Sequence, residues 1–309
     1  MSLIVTGTIG IDSVYTPHGQ AERVLGGSCT YFAAAASFYT PVRIVAAAGD
    51  DLPAPFLETI RHFKRIDTAG LEIRKGSKTF AWGGKYRDNM NGRDTLFTEL
   101  GVLLETPPKV PANYVDSKYV FLANTHPAVQ LGLLENFPKR KIAIADTMDL
   151  WISTARPELE KLLRRVDGLV LNYDEAELLT GKANTVAAAR HILEMGPTFV
   201  VVKKGEHGCL IVHRDGMGAL PAYPAEKVID PTGAGDTFAG GMMGYLAQRC
   251  EQDAAADPRS IDLVRYSLAH GTIVASFNIE SFSLDRLTRL SREQIDERYN
   301  EFARMVRVH

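Results

Sequence analysis

Residues 230–241 read Asp230-Pro231-Thr232-Gly233-Ala234-Gly235-Asp236-Thr237-Phe238-Ala239-Gly240-Gly241, a composition typical of a tight turn that opens a helix. Pro231 biases the preceding residue towards an extended backbone, and Gly233 and Gly235 allow the positive φ values that a tight turn needs. A helical pattern follows from about Ala234, so the N–H groups of the turn lie at a helix N-terminus, where anions are favoured. The stretch therefore predicts a cradle for a phosphate group.

Asp236 lies at the mouth of this predicted cradle. A carboxylate with an ordinary pKa of roughly 3.9 is ionised at neutral pH and can accept the proton of an attacking hydroxyl. In phosphoryl transfer, an aspartate commonly orients that hydroxyl while the rest of the site positions the reactants. An ordinary turn with an Asp near a helix start is the alternative interpretation, because such a residue stabilises the helix N-terminus without any catalytic role.

The whole twelve-residue stretch resembles the C-terminal signature of the ribokinase-like (PfkB-type) sugar and nucleoside kinases, DTxGAGDxFxxG, with Pro231 as the unusual residue. The resemblance implies that Asp236 is the catalytic base and that the amides of Gly233, Ala234 and Gly235 form an anion hole. It also implies an α/β fold with three layers, in which a mostly parallel sheet is flanked by helices and carries a small β-sheet lid. Two competing phosphate motifs fail, since G-x-x-x-x-G-K-[ST] is absent and G-x-G-x-x-G would need Gly at Phe238.

The composition sets limits on partners and location. The chain has 309 residues, 45% of them hydrophobic, so it can bury a large core. A net charge of −2 gives no electrostatic reason to expect nucleic acid or an anionic membrane as a partner. Three scattered cysteines suggest a reducing compartment, and neither a signal peptide nor a membrane-spanning segment is apparent. We expect one cytoplasmic domain over residues 1–309, because the resemblance covers the full length.

The N-terminal segment predicts part of an acceptor site. Ser2 to Ile9 has the pattern of a buried strand, and Asp12 follows where that strand would end, at the edge where ligands collect in α/β sheets. A turn-forming Asp is the alternative interpretation. Gly7-x-x-Gly10-x-Asp12 resembles the family's first substrate-binding segment, which implies that Asp12 holds sugar hydroxyls. Gly10 occupies the position where ribose-specific members usually have Asn, so ribose itself is in doubt.

A second glycine pair precedes a helix rich in alanine, predicted from Thr30 to Phe38. Gly26-Gly27 resembles the family's di-glycine signature, which implies that substrate approaches the backbone closely at this point. Tyr31 stands where ribose-type members have Asn, which predicts a different acceptor pocket. A simple turn before a helix is the alternative interpretation.

Two segments, at about residues 11–24 and 71–100, predict short antiparallel strands rather than helix. The resemblance implies that they form a lid that closes over the substrate and excludes water from the transfer step. Among the polar residues near its turn, Arg93 is a candidate for a phosphate or substrate contact. A homodimer formed through the lid is a further expectation.

From Val110 to Val202 the pattern alternates between strand and helix, which is typical of a mostly parallel sheet covered on both faces. Predicted strands cover Tyr119–Leu122, Lys141–Ala145, Gly168–Leu171 and Thr198–Val202. Asn124 follows the first of them and is a candidate substrate contact, although capping of the next helix explains strand-end polar residues equally well.

The nucleotide side of the site is predicted from resemblance at several positions. Asn172-x-x-Glu175 resembles the family motif that organises magnesium and the phosphates, with Asn172 facing the phosphates and Glu175 contacting Mg²⁺ through water. The same residues can form a helix-capping box. Further nucleotide contacts are implied for Lys203, Gly205, Gly208 and Asn278, with Lys203 in place of the usual Thr. Asp230 and Thr232 match positions that bind a monovalent cation such as K⁺ in many members.

The leading hypothesis is therefore a kinase that uses ATP and Mg²⁺ to phosphorylate a hydroxyl of a small sugar or polyol, with Asp236 as the general base. A nucleoside kinase of the same fold is the first alternative, favoured by the missing Asn residues and by the aromatic Tyr31. A sensor of sugars or nucleotides that kept the fold without catalysis is the second.

Overall fold

The computed structural model describes residues 3–307, so Ser2 at the start of the first predicted strand lies outside the described residues. The strands in this part of the chain are β1 (Leu3–Thr6), β2 (Gly10–Thr16), β3 (Gly19–Gly26), β4 (Val42–Gly49), β5 (Ile66–Arg74), β6 (Phe80–Tyr86), β7 (Arg93–Glu99), β8 (Tyr119–Leu122), β9 (Ile142–Asp146), β10 (Gly168–Asn172), β11 (Phe199–Lys203), β12 (Cys209–His213) and β13 (Gly216–Leu220).

The helices are α1 (Ser28–Ser37), α2 (Ala54–His62), α3 (Pro127–Leu134), α4 (Asp149–Thr154), α5 (Arg156–Leu163), α6 (Tyr173–Thr180), α7 (Thr185–Glu194), α8 (Ala234–Gln252), α9 (Ile261–Asn278) and α10 (Arg292–Val306). The strands predicted between residues 110 and 202 agree with β8 to β11 within about one residue.

Nine strands form the main sheet, in the order β13-β12-β11-β10-β9-β8-β1-β4-β5. All neighbours from β11 to β5 are parallel, and only β12 and β13 are antiparallel additions at one edge. Parallel strands need helical crossovers, which explains the alternation of strand and helix along the chain. The mostly parallel α/β sheet predicted from the sequence is confirmed.

The two faces of the sheet carry separate cores because side chains alternate along each strand. In β1, Leu3 and Val5 pack into a core that includes α1, α8 and α9, whereas Ile4 packs into a second core with α3, α5 and α7. Helices therefore cover both faces, and the three-layer prediction is confirmed.

Small residues bring α1 and α8 close together. A methyl group at Gly244 would lie 2.9 Å from the Cα of Ala36, and Gly240 faces the Phe32 carbonyl in the same way. Neither position has room for a side chain, so the alanine run of α1 and the glycines of α8 fix the spacing of the two helices. As a result, the N-termini of both helices lie beside each other at one edge of the sheet.

A four-stranded lid stands apart from the main sheet in the order β3-β2-β6-β7. The lid itself is confirmed, but its predicted boundary at residue 71 is wrong, because residues 71–74 belong to β5 at the edge of the main sheet. The expectation of antiparallel strands holds for β2–β3 and β6–β7 only. The central pair, β2 and β6, is parallel because the two strands come from distant parts of the chain.

Candidate active site

The predicted turn before α8 has the expected geometry. Gly233 is in the left-handed region with φ of 72°, and α8 begins at Ala234. The ring of Tyr31 lies directly under this turn, since a methyl group at Gly233 would be 2.5 Å from its Cδ1. Gly233 is therefore required twice, once for its backbone conformation and once for the space that Tyr31 fills.

The amides of this turn point in different directions. The Ala234 N–H donates to the Pro231 carbonyl at 3.2 Å, so it is used inside the loop. Within residues 3–307, neither Gly233 nor Gly235 donates its N–H to another protein group. An anion at this helix start would meet the free amides of Gly233 and Gly235, and the role of Ala234 in the anion hole stays a prediction.

Asp236 lies in the first turn of α8, next to these amides. Burial raises the pKa of its carboxyl, whereas the positive charges of Lys203 and Arg93 lower it. The side chain is only partly buried, so an acceptor hydroxyl can reach it. A carboxylate beside two cations and an open helix N-terminus can serve as a general base in phosphoryl transfer.

Asp12 lies on lid strand β2 and is 4% exposed. Burial raises its pKa to about 8, and the negative charges of Asp230 and Asp236 act in the same direction. The two acids predicted at opposite ends of the chain therefore lie in one cleft. Their mutual repulsion favours a proton or a hydrogen-bonding hydroxyl beside Asp12.

The di-glycine before α1 packs closely against Asp12 and the neighbouring backbone. A methyl group at Gly26 would overlap the Oδ2 of Asp12 and lie 2.8 Å from its Oδ1. Gly27, with φ of 96°, packs against backbone, since a methyl group there would be 2.6 Å from the Gly10 nitrogen. The Gly27 backbone amide lowers the pKa of the Asp12 carboxyl, against the larger effect of burial. The predicted contact of Gly26 and Gly27 with substrate stays a prediction.

Two tyrosines complete the region between the acids. Tyr31 is 1% exposed, and burial followed by the charges of Asp230, Asp12 and Asp236 raises its pKa well above the ordinary value. Its position beneath the turn makes it a support for the loop, not a wall of an open pocket. Tyr86, at the end of β6, accepts a hydrogen bond from the Thr232 hydroxyl at 3.2 Å. Sequence reasoning missed Tyr86 because no local pattern marks this contact across 146 residues.

The carboxyl ends of three parallel strands place further charges in the same cleft. Asp146 ends β9, Asn172 ends β10 and Lys203 ends β11, with Asn172 and Lys203 directly paired. Asp146 is 4% exposed and its Oδ1 has no hydrogen-bond partner in the described part of the chain. Burial raises its pKa well above the ordinary value, Asp236 acts in the same direction, and Lys203 opposes both. Its position at the end of β9 is the sequence feature that could have placed Asp146 in the cleft.

Asn172 and Glu175 form a complete capping box at the start of α6. The Glu175 N–H donates to the Asn172 Oδ1, and the Asn172 N–H donates to the Glu175 Oε2, both at 2.8 Å. Burial raises the pKa of Glu175, and the nearby charge of Lys203 opposes this effect. The capping interpretation is thus correct for both residues, while their contacts with magnesium and phosphates stay predictions.

Lys203 is the central cation of the cleft. A methyl group at Gly235 would lie only 2.7 Å from its Nζ, so the ammonium group sits directly over the turn that carries the free amides. Its positive charge lowers the pKa of Asp146, Glu175 and Asp236, against the larger effect of burial on each. Asp236 and Glu175 in turn raise the pKa of Asp146. Gly205 and Gly208 follow in the next loop, both with positive φ values, and shape its turn.

The lid is docked over this cleft. Its tip contacts the loop after β11, where the Asn91 Nδ2 donates to the Glu206 Oε1 at 2.8 Å. At its other end, the Thr16 hydroxyl donates to the Ile229 carbonyl at 3.0 Å. Arg93 reaches from the lid towards the acids, since its charge opposes the effect of burial on the pKa of Asp236 and Glu175. The lid therefore supplies a second cation to the site.

Two predicted contact residues are occupied by other partners. The Asn124 side chain accepts from Trp151 Nε1 at 2.9 Å and donates to Met148 Sδ at 3.0 Å. Asn278 is 1% exposed and donates its Nδ2 to the Thr232 carbonyl at 2.9 Å. Asn278 therefore braces the loop before α8, and its contact with nucleotide stays a prediction.

The donor atoms of the cleft can be compared with what Mg²⁺ and a monovalent cation require. Residues 3–307 contain no group of three or more His, Cys, Asp or Glu side chains arranged as metal ligands. Mg²⁺ usually keeps several waters and takes few protein carboxylates, so its contact with Glu175 stays a prediction. For a monovalent cation, the Asp230 Oδ2 is buried without a hydrogen-bond partner among these residues, as is the Asn278 Oδ1. These oxygens suit a hard cation.

A model of the pfkB family carbohydrate kinases matches residues 19–283, which include three of the four lid strands, the ends of β9 to β11 and the turn before α8, whereas β2 with Asp12 precedes the matched residues. The chain belongs to this family. This kinase is a phosphotransferase with an alcohol group as acceptor, and kinases of the family use ATP and Mg²⁺. Among curated relatives, it is 30% identical over 260 residues to a cytidine kinase of Thermococcus kodakarensis, covering 81% of this chain and 90% of that protein.

Solved structures show the same fold at lower sequence identity. A Burkholderia thailandensis nucleoside kinase in complex with inosine superposes with a TM-score of 0.76 at 19% identity, covering 97% of this kinase and 98% of that chain. A ribokinase from Giardia lamblia superposes with a TM-score of 0.80 at 17% identity, covering 97% and 99%. The family predicted from the signature is confirmed. None of the helices within residues 3–307 has the length and hydropathy needed to span a membrane.

Proposed function

We propose that this protein is a nucleoside kinase that transfers the γ-phosphoryl group of ATP to a hydroxyl of a nucleoside. The observation that carries the proposal is its similarity to a cytidine kinase over 90% of that protein's length. The cleft supports it, because Asp12, Asp236 and the amides of Gly233 and Gly235 converge there. This reverses the order of our expectations, in which a free sugar or polyol came first.

The chemistry follows from the positions of the acids and cations. Asp12 accepts hydrogen bonds from acceptor hydroxyls and so fixes the sugar part of the nucleoside. Asp236 accepts the proton of the attacking hydroxyl, whose oxygen forms the new bond to phosphorus while the bond to the β-phosphate oxygen breaks. The amides of Gly233 and Gly235 donate to the transferring group, and Lys203 and Arg93 neutralise its charge.

A substrate panel tests the proposal. Purified protein with ATP and Mg²⁺ is offered cytidine, inosine, ribose, deoxyribose and inositol, and the phosphorylated product is measured directly. We expect kcat/KM for at least one nucleoside to exceed that for every free sugar and polyol. A preference for a free sugar would restore our first hypothesis, and transfer to no acceptor would favour a sensor. The Asp236→Asn variant controls for contaminating kinases.

The cofactors form part of the proposal. ATP supplies the phosphoryl group, and Mg²⁺ bound to its phosphates neutralises charge, with Glu175 contacting the ion through water. Asp230 and Thr232 would hold K⁺, supported by the unpartnered Asp230 Oδ2. Activity in KCl should then exceed activity in tetramethylammonium chloride at equal ionic strength. Equal rates in both salts would remove potassium from the proposal.

Assembly and location are proposed on separate grounds. The outer lid strand β7 exposes Leu96 and Phe97, at 53% and 39%, and a homodimer formed through the lid would cover them. Sedimentation of the wild type and a Leu96→Lys variant would test this, since a monomeric wild type contradicts it. Three free, buried cysteines fit a reducing, cytoplasmic compartment.

A further inference from the structure

The side chain of Tyr86 identifies which face of the lid looks into the cleft, because its hydroxyl contacts Thr232 in the loop before α8. Arg93 lies directly opposite Tyr86 on β7, and opposite residues of an antiparallel pair share a face. Gly84 is two residues before Tyr86 on the same strand, so it belongs to that face as well. These three residues define the cleft face of the lid.

Trp82 lies on the cleft face too. Its indole ring occupies the space above Gly84, where a methyl group would overlap Cη2 and lie 3.0 Å from Cζ3. The guanidinium of Arg93 is 5.6 Å from the centre of this ring. By contrast, the ring of Phe97 fills the space above Gly83, on the outer face of the same two strands. Trp82 therefore lies on the cleft side of the lid and Phe97 on its outer side.

Trp82 is also the neighbour of the acid that binds acceptor. Asp12 and Trp82 are paired in the parallel register of β2 and β6, and paired residues of a sheet project to the same side. Adjacent strands are about 4.8 Å apart, so the backbones of Trp82 and Asp12 are separated by about that distance. Trp82 is only half-buried, so part of the residue remains accessible.

We propose that Trp82 is the platform on which the base of the nucleoside acceptor stacks while Asp12 holds its sugar. This inference rests on the proposed function and names the residue that separates nucleosides from free sugars. A free sugar has no π-face, so the indole contributes little to its binding, whereas a flat heterocycle gains from stacking on an aromatic ring. Gly84 is needed because any side chain there would displace the indole.

The test compares acceptor kinetics in three variants. In Trp82→Leu, which keeps apolar bulk without a π-system, KM for the best nucleoside should rise on the order of 10- to 100-fold. KM for ATP and the melting temperature should stay close to wild type. Trp82→Phe keeps a smaller ring and should fall between the two. Phe97→Leu is the matched control, since it removes an aromatic from the outer face and should leave nucleoside KM unchanged.

A fluorescence measurement separates this inference from the proposed function. The chain has two tryptophans, so in a Trp151→Phe background the emission reports Trp82 alone. Nucleoside added without ATP should change this emission, with the same dissociation constant by calorimetry. Nucleosides that are phosphorylated with unchanged KM in Trp82→Leu would overturn the platform and leave the kinase assignment intact. Nucleosides that bind and change the emission without being phosphorylated would support the platform and refute the proposed function. Nucleosides that neither bind nor react would refute both.

Discussion

Replacing Gly26 by Ala tests how the acceptor acid is positioned. The added methyl group would overlap the Oδ2 of Asp12 and lie 2.8 Å from its Oδ1, well inside ordinary contact distance. Contacts between such atoms become favourable only at about 3.5 Å, so the carboxylate must move by on the order of 1 Å. The backbone at Gly26 is not in the left-handed region, so Ala adds no strain of its own.

The kinetic effect should be specific to the acceptor. A displacement of about 1 Å in a positioning group can cost roughly 10²-fold, so we expect kcat/KM for the acceptor to fall by about that factor. KM for ATP should not change, because the nucleotide loops are elsewhere in the cleft. Steady-state kinetics with each substrate varied in turn separates the two parameters, and thermal unfolding checks that the fold is kept.

Two further variants make this prediction sharp. Gly132→Ala is the matched control, since a methyl group there meets nothing within 4 Å and the residue lies in α3. It should leave the kinetics unchanged and add about 0.5–1 kcal/mol to the free energy of unfolding. In an Asp12→Ala background, Gly26→Ala should cost little, because the methyl group acts through the missing carboxylate. Full acceptor activity in Gly26→Ala, or additive losses in the double variant, would refute the reasoning.

Three other substitutions probe the charges of the cleft. Asp236→Asn should lower kcat by about 10²- to 10⁴-fold with little change in melting temperature, and retention of full turnover would remove the general base. Lys203→Met should move the acidic limb of the kcat/KM profile to higher pH, because burial already raises the pKa of Asp236 and the ammonium that opposes this is lost; an unshifted limb would contradict its role. Burial raises the pKa of Asp12 from 3.8 to about 8 in the folded state. Between pH 3.8 and pH 8 the folded state therefore binds more protons than the unfolded state, so the contribution of Asp12 to the free energy of unfolding falls as pH rises. Asp12→Asn removes this loss. Measured by calorimetry, the melting temperature of the variant relative to wild type should therefore increase from pH 5 to pH 8. A constant difference across this range would show that Asp12 is not the titrating group.

Much of the fold could be predicted from the sequence because its signals are local. Buried runs such as Tyr119–Leu122 and the alternation of strands and helices fixed the sheet as parallel and three-layered. The signature at residues 230–241 placed a helix start at Ala234, where α8 indeed begins. The capping box of Asn172 and Glu175 is equally local, since three residues separate its members.

The errors have a common origin in contacts that are distant along the chain. The lid boundary was wrong because residues 71–74 pair with β4, whose strand was not predicted at all. The hydrogen bond from Asn278 to the Thr232 carbonyl was missed for the same reason, since 46 residues separate the two. The hydrogen bond of the Ala234 amide was missed for a finer reason, since the direction of one amide depends on how the turn closes on Pro231.

By itself, then, the sequence determined the family, the alternation of strands and helices from Val110 to Val202, and the helix start at Ala234, because each depends on residues close together in the chain. Only the tertiary structure decided which groups share the cleft. It brought Asp12 from the first strands of the lid and Lys203 from the end of β11 to the same turn, and it laid Trp82 beside Asp12. Those contacts depend on strand register and helix packing, which are set by the fold as a whole and leave no local pattern in the chain.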